Sequence, residues 1–510
     1  MSGSLFSRIA TARAPDRLAV IAPDGALTHA ALLGRARGLA ARLGDRRSPI
    51  VVYGQKEPAV LVSFLAALRL GRAYVPIDPL LPPGRVARML DAVGAEDAVL
   101  ARDAPPPIAR ELAGRGVATL RVDLLATGLE THDAADPPPP DPETPAYILF
   151  TSGTTGVPKG VPVSHAALCH FTRWLLASHR FGTGEETFLN QAPLGFDLSV
   201  MDVYGAFLTG GALFMITPEE IGDPRCLFRR LDGAPLTTWV STPSFARFCL
   251  AEPRFARPML PLLRRFLFCG ETLTPAVARA LLARFPGAEV WNMYGPTETT
   301  VAVTAIRIDA ELAASEGPLP VGRAAPGIEI WIAEPGAPER RVPAGAQGEI
   351  VIAGPQVACG YLGNGTGDPS DGRFFTAPDG RRAYRTGDLG WIDPRDGVLF
   401  CAGRLDHQVK LRGHRIELEE IEVHLRAVPG VADAAVVPID RDGHSDHLVA
   451  VVVVTPALPP AGRALTNHVR AALADSLPDY AVPRIVRTTP ALPLTAQGKL
   501  DRRVLREIAG

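Results

Sequence analysis

Ten consecutive residues, Thr151-Ser152-Gly153-Thr154-Thr155-Gly156-Val157-Pro158-Lys159-Gly160, combine hydroxyls, glycines and one lysine directly after the apolar run Tyr147-Ile148-Leu149-Phe150. A loop of this make-up suits phosphate oxygens. Backbone N–H groups and hydroxyls donate, glycines let the backbone come close, and the lysine supplies charge. ATP is the ligand implied. The segment is not a Walker A loop, in which Gly-Lys precedes Ser or Thr, because here Pro158 precedes Lys159 and Gly160 follows it. A plain Ser/Thr/Gly surface turn is the competing reading. Four further segments bear on it: Asn292-Met293-Tyr294-Gly295-Pro296-Thr297-Glu298-Thr299-Thr300, Tyr384-Arg385-Thr386-Gly387-Asp388, Gly403-Arg404-Leu405-Asp406 and Pro493-Leu494-Thr495-Ala496-Gln497-Gly498-Lys499. An acidic residue after glycine, or a lysine in a polar tail, ordinarily reads as solvated surface. It is the order of these segments along one chain that carries weight.

In that order they resemble the adenylate-forming superfamily, which comprises acyl-CoA synthetases, luciferases and the adenylation domains of nonribosomal peptide synthetases. The resemblance implies ATP and Mg²⁺ as cofactors. It assigns Thr151, Ser152, Gly153, Thr154, Thr155, Gly156 and Lys159 to the phosphates, and Gly270, Glu271, Asn292, Met293, Tyr294 and Gly295 to ATP, with Tyr294 against the base. Thr297 would meet the α-phosphate, Glu298 the metal, and Asp388 both ribose hydroxyls with Arg404 nearby. Lys499 would be the catalytic lysine. Asp406 would be the pivot about which a small domain rotates, so that Lys499 leaves and Lys410, within Lys410-Leu411-Arg412-Gly413-His414, faces the adenylate. The chemistry agrees, since attack of a carboxylate on the α-phosphorus brings two anions together and needs positioning and charge neutralisation. No general base is required for a nucleophile already ionised near neutral pH.

The stretch Pro193 to Asp202 carries Asp197 where amino-acid-activating members hold the substrate ammonium, which when buried demands such a partner. Asp197 as a helix N-cap before Ser199 is the bland alternative. Longer strings, among them FDLSVMDVYGAFLTGGAL, FLFCGETL and GRLDHQVKLRGHRIELEEIE, resemble the D-alanine to carrier-protein ligases over nearly the whole chain. Laid on the peptide-synthetase pattern, the amino-acid pocket is Asp197, Leu198, Met201, Ser241, Leu267, Cys269, Met293, Val301 and Ala302, closed by Lys499. Large side chains at Leu198, Met201 and Met293 leave room for a hydrogen, methyl or hydroxymethyl group. The acceptor implied is the phosphopantetheine thiol of a separate carrier protein. Asp442-Gly443-His444-Ser445 looks like a carrier's serine motif but sits within the small domain, with no room for a helical bundle. An L-alanine-, glycine- or serine-activating enzyme of a natural-product pathway remains open, as does an acyl-CoA synthetase, against which Asp197 counts. A non-catalytic relative is opposed by the presence together of Thr297, Glu298, Asp388 and Lys499.

Such a site needs a scaffold. At 510 residues the chain is too long for one hydrophobic core, and 47% apolar with 21% charged residues is a globular composition. From Pro49, strand-like PIVVYG, helical AVLVSFLAALRLG and strand-like AYVPID predict an α/β fold on parallel strands, recurring to about residue 330. Asp133 to Pro145 reads as an exposed Pro-rich connection, and short β-like runs follow Gly348. The expectation is a multi-domain α/β protein, α+β overall. A large N-terminal adenylation domain with a β-rich portion would span residues 1–405, and a small mobile C-terminal α+β domain residues 406–510. The latter should contain an amphipathic helix over Glu417 to Ala427, the β-run HLVAVVVV and a helix over Asn467 to Leu477. Lys plus Arg number 53 against 54 Asp plus Glu, which offers no field for nucleic acid or an anionic membrane. Six scattered cysteines without zinc spacing are expected as reduced, mostly buried thiols. No apolar run is long enough to cross a bilayer, so no membrane insertion and a cytoplasmic location are expected.

Overall fold

The computed structural model describes residues 4–11, 15–122, 137–153, 157–362, 372–411, 413–441, 444–455, 458–493 and 500–510. The chain forms two compact units. One comprises Met1–Pro79, Ala92–Leu149 and Gly160–Leu405; the other comprises Leu80–Asp91, Phe150–Lys159 and Asp406–Gly510.

The first unit is mixed α/β. Its nine-stranded sheet runs, edge to edge, through Arg323–Ala324, Thr304–Ile308, Glu289–Tyr294, Arg265–Phe268, Thr238–Ser241, Thr187–Asn190, Ala212–Met215, Leu18–Ala22 and Gly25–Thr28. Pairing is parallel from Glu289–Tyr294 to Leu18–Ala22 and antiparallel at both ends. Every residue of Ala212–Met215, Thr238–Ser241 and Arg265–Phe268 is buried, so these strands read as continuous runs without alternation. A second sheet has the order Ala118–Arg121, Asp97–Leu100, Ile50–Tyr53, Tyr74–Ile77, Pro145–Thr151, Lys159–Ser164. The strand, helix and strand expected after Pro49 are Ile50–Tyr53, Pro58–Leu70 and Tyr74–Ile77. The β-like runs after Gly348 become an antiparallel sheet in which Arg382–Ile392 pairs with Gly348–Ala353 and Leu399–Arg404, putting Asp388 opposite Arg404.

In the second unit Val431–Arg441 pairs antiparallel with His444–Val454, which pairs parallel with Ile485–Thr488. Alternation divides these strands between two faces. Ala434, Val436, Leu448, Ala450 and Val452 pack with the helices Leu418–Arg426 and Arg463–Leu473, while Ala435, Val437, Val449 and Val451 pack with Leu505 and Ala509 of Arg502–Ala509. Ser445 of the carrier-like motif lies on the strand His444–Val454, its hydroxyl donating to Asp440 Oδ1 at 2.8 Å, while Asp442 and Gly443 lie outside the described residues.

Two expectations need correction. The helix anticipated over Asn467 to Leu477 spans Arg463–Leu473. It starts after Gly462 (φ 114°), and Leu477 continues the spacing of Leu465, Val469 and Leu473 into the core although it lies beyond the helix, so periodicity reads too far. The six cysteines are all free, but only Cys249 and Cys269 are buried and Cys359 is exposed. Among the described residues no helix is long and apolar enough to cross a membrane.

The helix Leu198–Thr209 packs closely on the strand Thr187–Asn190. A Cβ at Gly205 would lie 2.6 Å from Cε1 of the buried Phe188 ring. Gly205→Ala should therefore lower the unfolding free energy by about 1–2 kcal/mol, overpacking outweighing the gain in helix propensity. Denaturant titration checks this, and a stabilised variant would refute the close packing.

Candidate functional site

Four neighbouring parallel strands of the nine-stranded sheet deliver most of the candidate residues from their C-terminal ends. Thr187–Asn190 leads to Asp197; Thr238–Ser241 ends on Ser241; Arg265–Phe268 leads to Cys269, Gly270 and Glu271; Glu289–Tyr294 leads to Thr297 and Glu298. In open parallel sheets ligands bind in this position, because loops leaving the same edge converge.

The first cluster joins this sheet to the antiparallel one. Tyr294 OH donates to Asp388 Oδ2 at 2.6 Å, and Arg404 Nη1 donates to Asp388 Oδ1 at 2.6 Å. Arg404 Nη2 also reaches the Thr386 carbonyl at 3.3 Å, and Asp388 N donates to Thr386 Oγ1. Each Asp388 oxygen thus has one donor already, leaving further acceptor capacity, since an ionised carboxylate offers about four lone-pair positions. Burial and the neighbouring Asp388 carboxylate push the Tyr294 phenol well above its ordinary range, so it stays a donor. Asn292 Nδ2 donates to the Pro320 carbonyl at 2.8 Å, which commits that amide to holding the backbone.

The second cluster is built on a single turn. Thr297–Thr299 is a 3₁₀ turn that carries Glu298, a fully buried carboxylate whose Oε1 accepts from Tyr361 OH at 2.7 Å. Tyr361 OH is in turn 3.1 Å from Tyr384 OH. Thr297 Oγ1 donates to Asp197 Oδ2 at 2.7 Å, across 100 positions of sequence. Asp197 precedes the helix Leu198–Thr209, but it has helical torsions (φ −62°, ψ −27°) and makes no side-chain cap bond, so the N-cap reading fails. Gly295 must lack a side chain, because a Cβ there would lie 2.7 Å from Ala302 Cα. Beyond the turn the backbone is strained: Thr300 and Val301 have φ of 61° and 69°, and Ala302 N donates to Thr300 O at 2.8 Å. That is a γ-turn of the rare hand, costing about 1–3 kcal/mol per residue, centred on a β-branched side chain.

Of the residues expected to line the amino-acid pocket, Asp197 is half-buried and Leu198, Met201, Ser241, Leu267, Cys269, Met293, Val301 and Ala302 are buried. Leu198, Met201, Leu267, Cys269, Met293, Val301 and Ala302 belong to one apolar cluster. Cys269 Sγ approaches the Val301 carbonyl at 3.6 Å. Ser241 Oγ accepts from Trp239 Nε1 and donates to the Thr242 carbonyl. Glu271 Oε2 accepts from Ser244 N, and Gly270 has φ 91°.

Of the phosphate-loop residues, Thr151 ends the strand Pro145–Thr151, and Ser152 and Gly153 follow it. The buried Thr151 Oγ1 has no hydrogen-bond partner among the described residues. A Cβ at Gly153 would lie 2.1 Å from the Val157 carbonyl, so the fold back towards Lys159 requires glycine. Lys410 lies on the hairpin strand Gln408–Leu411, opposite Arg415, and Asp406 Oδ1 accepts from Gln408 N. Thr154, Thr155, Gly156 and Lys499 lie outside the described residues, as does Arg412.

Three groups went unassigned by sequence reasoning. Tyr361 and Gln356 lie in the segment after Ala353, 63 and 56 positions from Glu298 and Thr300, and no local signal joins them to the turn. Lys56 is fully buried, with Nζ donating to Asn190 Oδ1 at 2.5 Å and the Ala192 carbonyl at 2.6 Å. Lys56 stands in the polar stretch Gly54-Gln55-Lys56-Glu57, which reads as an ordinary turn between the strand Ile50–Tyr53 and the helix Pro58–Leu70, so local order gave no signal for it. Burial pushes its ammonium down to about 8, opposed by Asp202 and Asp78. Burial likewise pushes Asp202 up, opposed by Lys56 and by Asn190 Nδ2 donating at 2.9 Å. This network ties down the connection that carries Asp197.

With the geometry in place, comparison with known proteins gives consistent results. The AMP-binding enzyme family matches residues 7–362, and the AMP-binding enzyme C-terminal domain matches residues 420–499. A protein of Bacillus velezensis named D-alanine--D-alanyl carrier protein ligase is 42% identical over 474 residues, covering 90% of this chain and 89% of that protein. One of the same name from Bacillus cereus is 40% identical over 506 residues, covering 97% of each. Among solved structures, the amide bond synthetase McbA from Marinactinospora thermotolerans has a TM-score of 0.84 at 25% identity, covering 99% of both chains. Holo-PA1221, a protein containing adenylation and PCP domains, has a TM-score of 0.81 at 26% identity, covering 99% of this chain and 84% of its own.

Lys56→Met should destabilise the protein by about 3–5 kcal/mol by leaving Asp202 uncompensated in the interior. Adding Asp202→Asn should recover a measurable part of the loss. Additive losses in a double-mutant cycle would argue against coupling between the two side chains.

Proposed function

The chain belongs to the family of AMP-binding enzymes, and on that premise we propose that it uses ATP to convert D-alanine to alanyl-adenylate and passes the alanyl group to the phosphopantetheine thiol of a separate carrier protein in the cytoplasm. One observation carries the substrate class: the 2.7 Å contact between Thr297 Oγ1 and Asp197 Oδ2. An α-amino acid bears its ammonium and carboxylate on adjacent carbons. A group that receives the ammonium must therefore adjoin the group that meets the α-phosphate under attack. Asp197 and Thr297 satisfy that requirement, and a fatty or aryl acid would leave Asp197 without its cationic partner. D-alanine in particular is supported by the names of the Bacillus relatives and by the crowding of Leu198, Met201 and Met293.

In the first step a carboxylate oxygen of alanine forms a bond to the α-phosphorus and pyrophosphate leaves. Asp197 orients the ammonium, which replaces the Thr297 hydroxyl as its donor, Thr297 then turns its O–H to the α-phosphate, and Lys499 neutralises the carboxylate and phosphate as they approach. Asp388 accepts from the ribose hydroxyls, held by Tyr294 and Arg404. In the second step the carrier's thiolate attacks the acyl carbon and AMP leaves, with the second unit turned about Asp406 so that Lys410 replaces Lys499. Glu298 is assigned to Mg²⁺. The residues fit such an ion, since Mg²⁺ is commonly held by one or two carboxylates with the substrate's own phosphates, and the Glu298 carboxylate stands on the same turn as Thr297, the residue assigned to the α-phosphate. When bound, it would neutralise phosphate charge.

Exchange of labelled pyrophosphate into ATP by the isolated chain should depend on D-alanine, with L-alanine about ten- to two-hundred-fold less effective, the scale of one misplaced methyl. Exchange driven by acetate or fatty acids but not amino acids would overturn the reading. Cys269→Ala should raise the L-alanine rate with D-alanine little changed. Asp388→Asn should raise the KM for ATP while leaving the KM for alanine near its parent value. Lys499→Ala should abolish adenylate formation yet spare transfer from supplied alanyl-adenylate; equal damage to both steps would argue against two arrangements of one site.

A further inference from the structure

The strained turn after Glu298 does not hold itself. Thr300 and Val301 are β-branched residues with φ of 61° and 69°, a region such side chains rarely enter. Strain of this kind persists only where the surroundings impose it. Beside the bond from Ala302 N to Thr300 O, that from Val303 N to Tyr294 O and the approach of Cys269 Sγ to Val301 O, one side chain gathers three carbonyls of the turn. Gln356 is fully buried, and its Nε2 lies 3.3 Å from Thr299 O, 3.4 Å from Thr300 O and 2.8 Å from Ala302 O. An amide nitrogen has two N–H groups, so the three carbonyls share both and turn inward together. Thr300 Oγ1 closes the loop by donating to the Gln356 carbonyl at 2.7 Å. On the far side His170 Nδ1 is 2.9 Å from Gln356 Oε1, which fixes the orientation of the amide. His170 belongs to the helix His165–His179.

The carbonyls so gathered flank Val301 and Ala302. The one carbonyl of the turn that Gln356 leaves aside, Val301 O, is the one that Cys269 Sγ approaches at 3.6 Å. We propose that Gln356, oriented by His170, is a positioning residue for substrate selection: it holds the Val301 wall against Cys269 and so sets the space that distinguishes one small amino acid from its mirror image. This rests on the assignment of Cys269, Val301 and Ala302 to the amino-acid pocket. Gln356 touches neither substrate nor nucleotide in this scheme. Its removal lets the turn relax to negative φ, which swings the Val301 side chain and widens the space beside the α-carbon. Glu298, on the same turn, keeps its own bond from Tyr361.

The test compares Gln356→Leu, Gln356→Met, His170→Ala and Val301→Ala by pyrophosphate exchange with D-alanine, L-alanine and glycine, alongside thermal unfolding. Gln356→Leu should reduce the D-alanine to L-alanine ratio of kcat/KM by about five-fold or more, within the range that one methyl's worth of space commands. The KM for ATP should stay within about two-fold of the parent, because the Tyr294, Asp388 and Arg404 group is untouched. His170→Ala should shift the ratio in the same direction by less. A merely structural glutamine would lower stability or total activity and leave the ratio alone. An unchanged ratio in Gln356→Leu and Gln356→Met, with an altered one in Val301→Ala, would overturn the inference and leave the pocket assignment standing. A ratio unchanged in all four variants would overturn the pocket assignment and the inference with it. If Gln356→Leu does not fold, Gln356→Met and His170→Ala decide the matter by the same ratio.

Discussion

A hydroxyl and a carboxylate in contact, Thr297 Oγ1 on Asp197 Oδ2, join two loops that leave different strands of one sheet. Much of the first unit can be understood as what that contact requires. The strands Thr187–Asn190 and Glu289–Tyr294 are separated in the sheet by Thr238–Ser241 and Arg265–Phe268, all four parallel. Parallel strands put their exits on one edge, so loops from non-adjacent strands can meet over the strands between. An antiparallel sheet would have sent alternate loops to opposite edges. The burial of both faces, which makes the central strands uniformly apolar, is a consequence of the crossovers that parallel pairing demands.

Around this contact, polar groups are buried in numbers that apolar packing alone would not tolerate. Glu298, Asp202, Lys56 and Gln356 are each almost wholly removed from water. Each has specific partners: Tyr361 for Glu298, Asn190 for Asp202, Asn190 and Ala192 for Lys56, and three carbonyls for Gln356. Burying such groups costs several kcal/mol when they are unsatisfied and little when they are paired, so the networks fix where the backbone can go. Lys56 and Gln356 act on the two loops from opposite ends. One gathers the carbonyls leading to Asp197, and the other gathers those following Thr297. The ionisable groups at the centre are thus held by neighbours with no reactive part of their own.

The second unit obeys a simpler rule. Its central hairpin buries both faces, so the run Leu448 to Val454 is apolar without interruption, and the two helices on one side and one on the other are amphipathic. Among its described residues no side-chain-bearing residue has the positive φ of Thr300 and Val301.

Local order along the chain was enough to determine the fold class and the segments that carry chemistry. Runs such as Ile50–Tyr53 and Gly348–Ala353, and the clustering of Gly, Thr and Ser after Phe150 or of Gly and Thr around Glu298, are properties of neighbouring residues. The resemblance of those segments to an enzyme family rests on the same local order. Where periodicity ran past the helix end, at Leu477, the reason was that burial is shared by helix and turn alike. Tertiary structure alone decided that Thr297 meets Asp197, that Tyr294 and Arg404 take the two oxygens of Asp388, that Tyr361 faces Glu298, and that Gln356 bridges to Thr300 while turning its amide to His170. These pairs stand between 16 and 186 positions apart. A hydrogen bond depends on distance and direction in space, and the sequence holds neither until the parallel strands bring their ends to one edge.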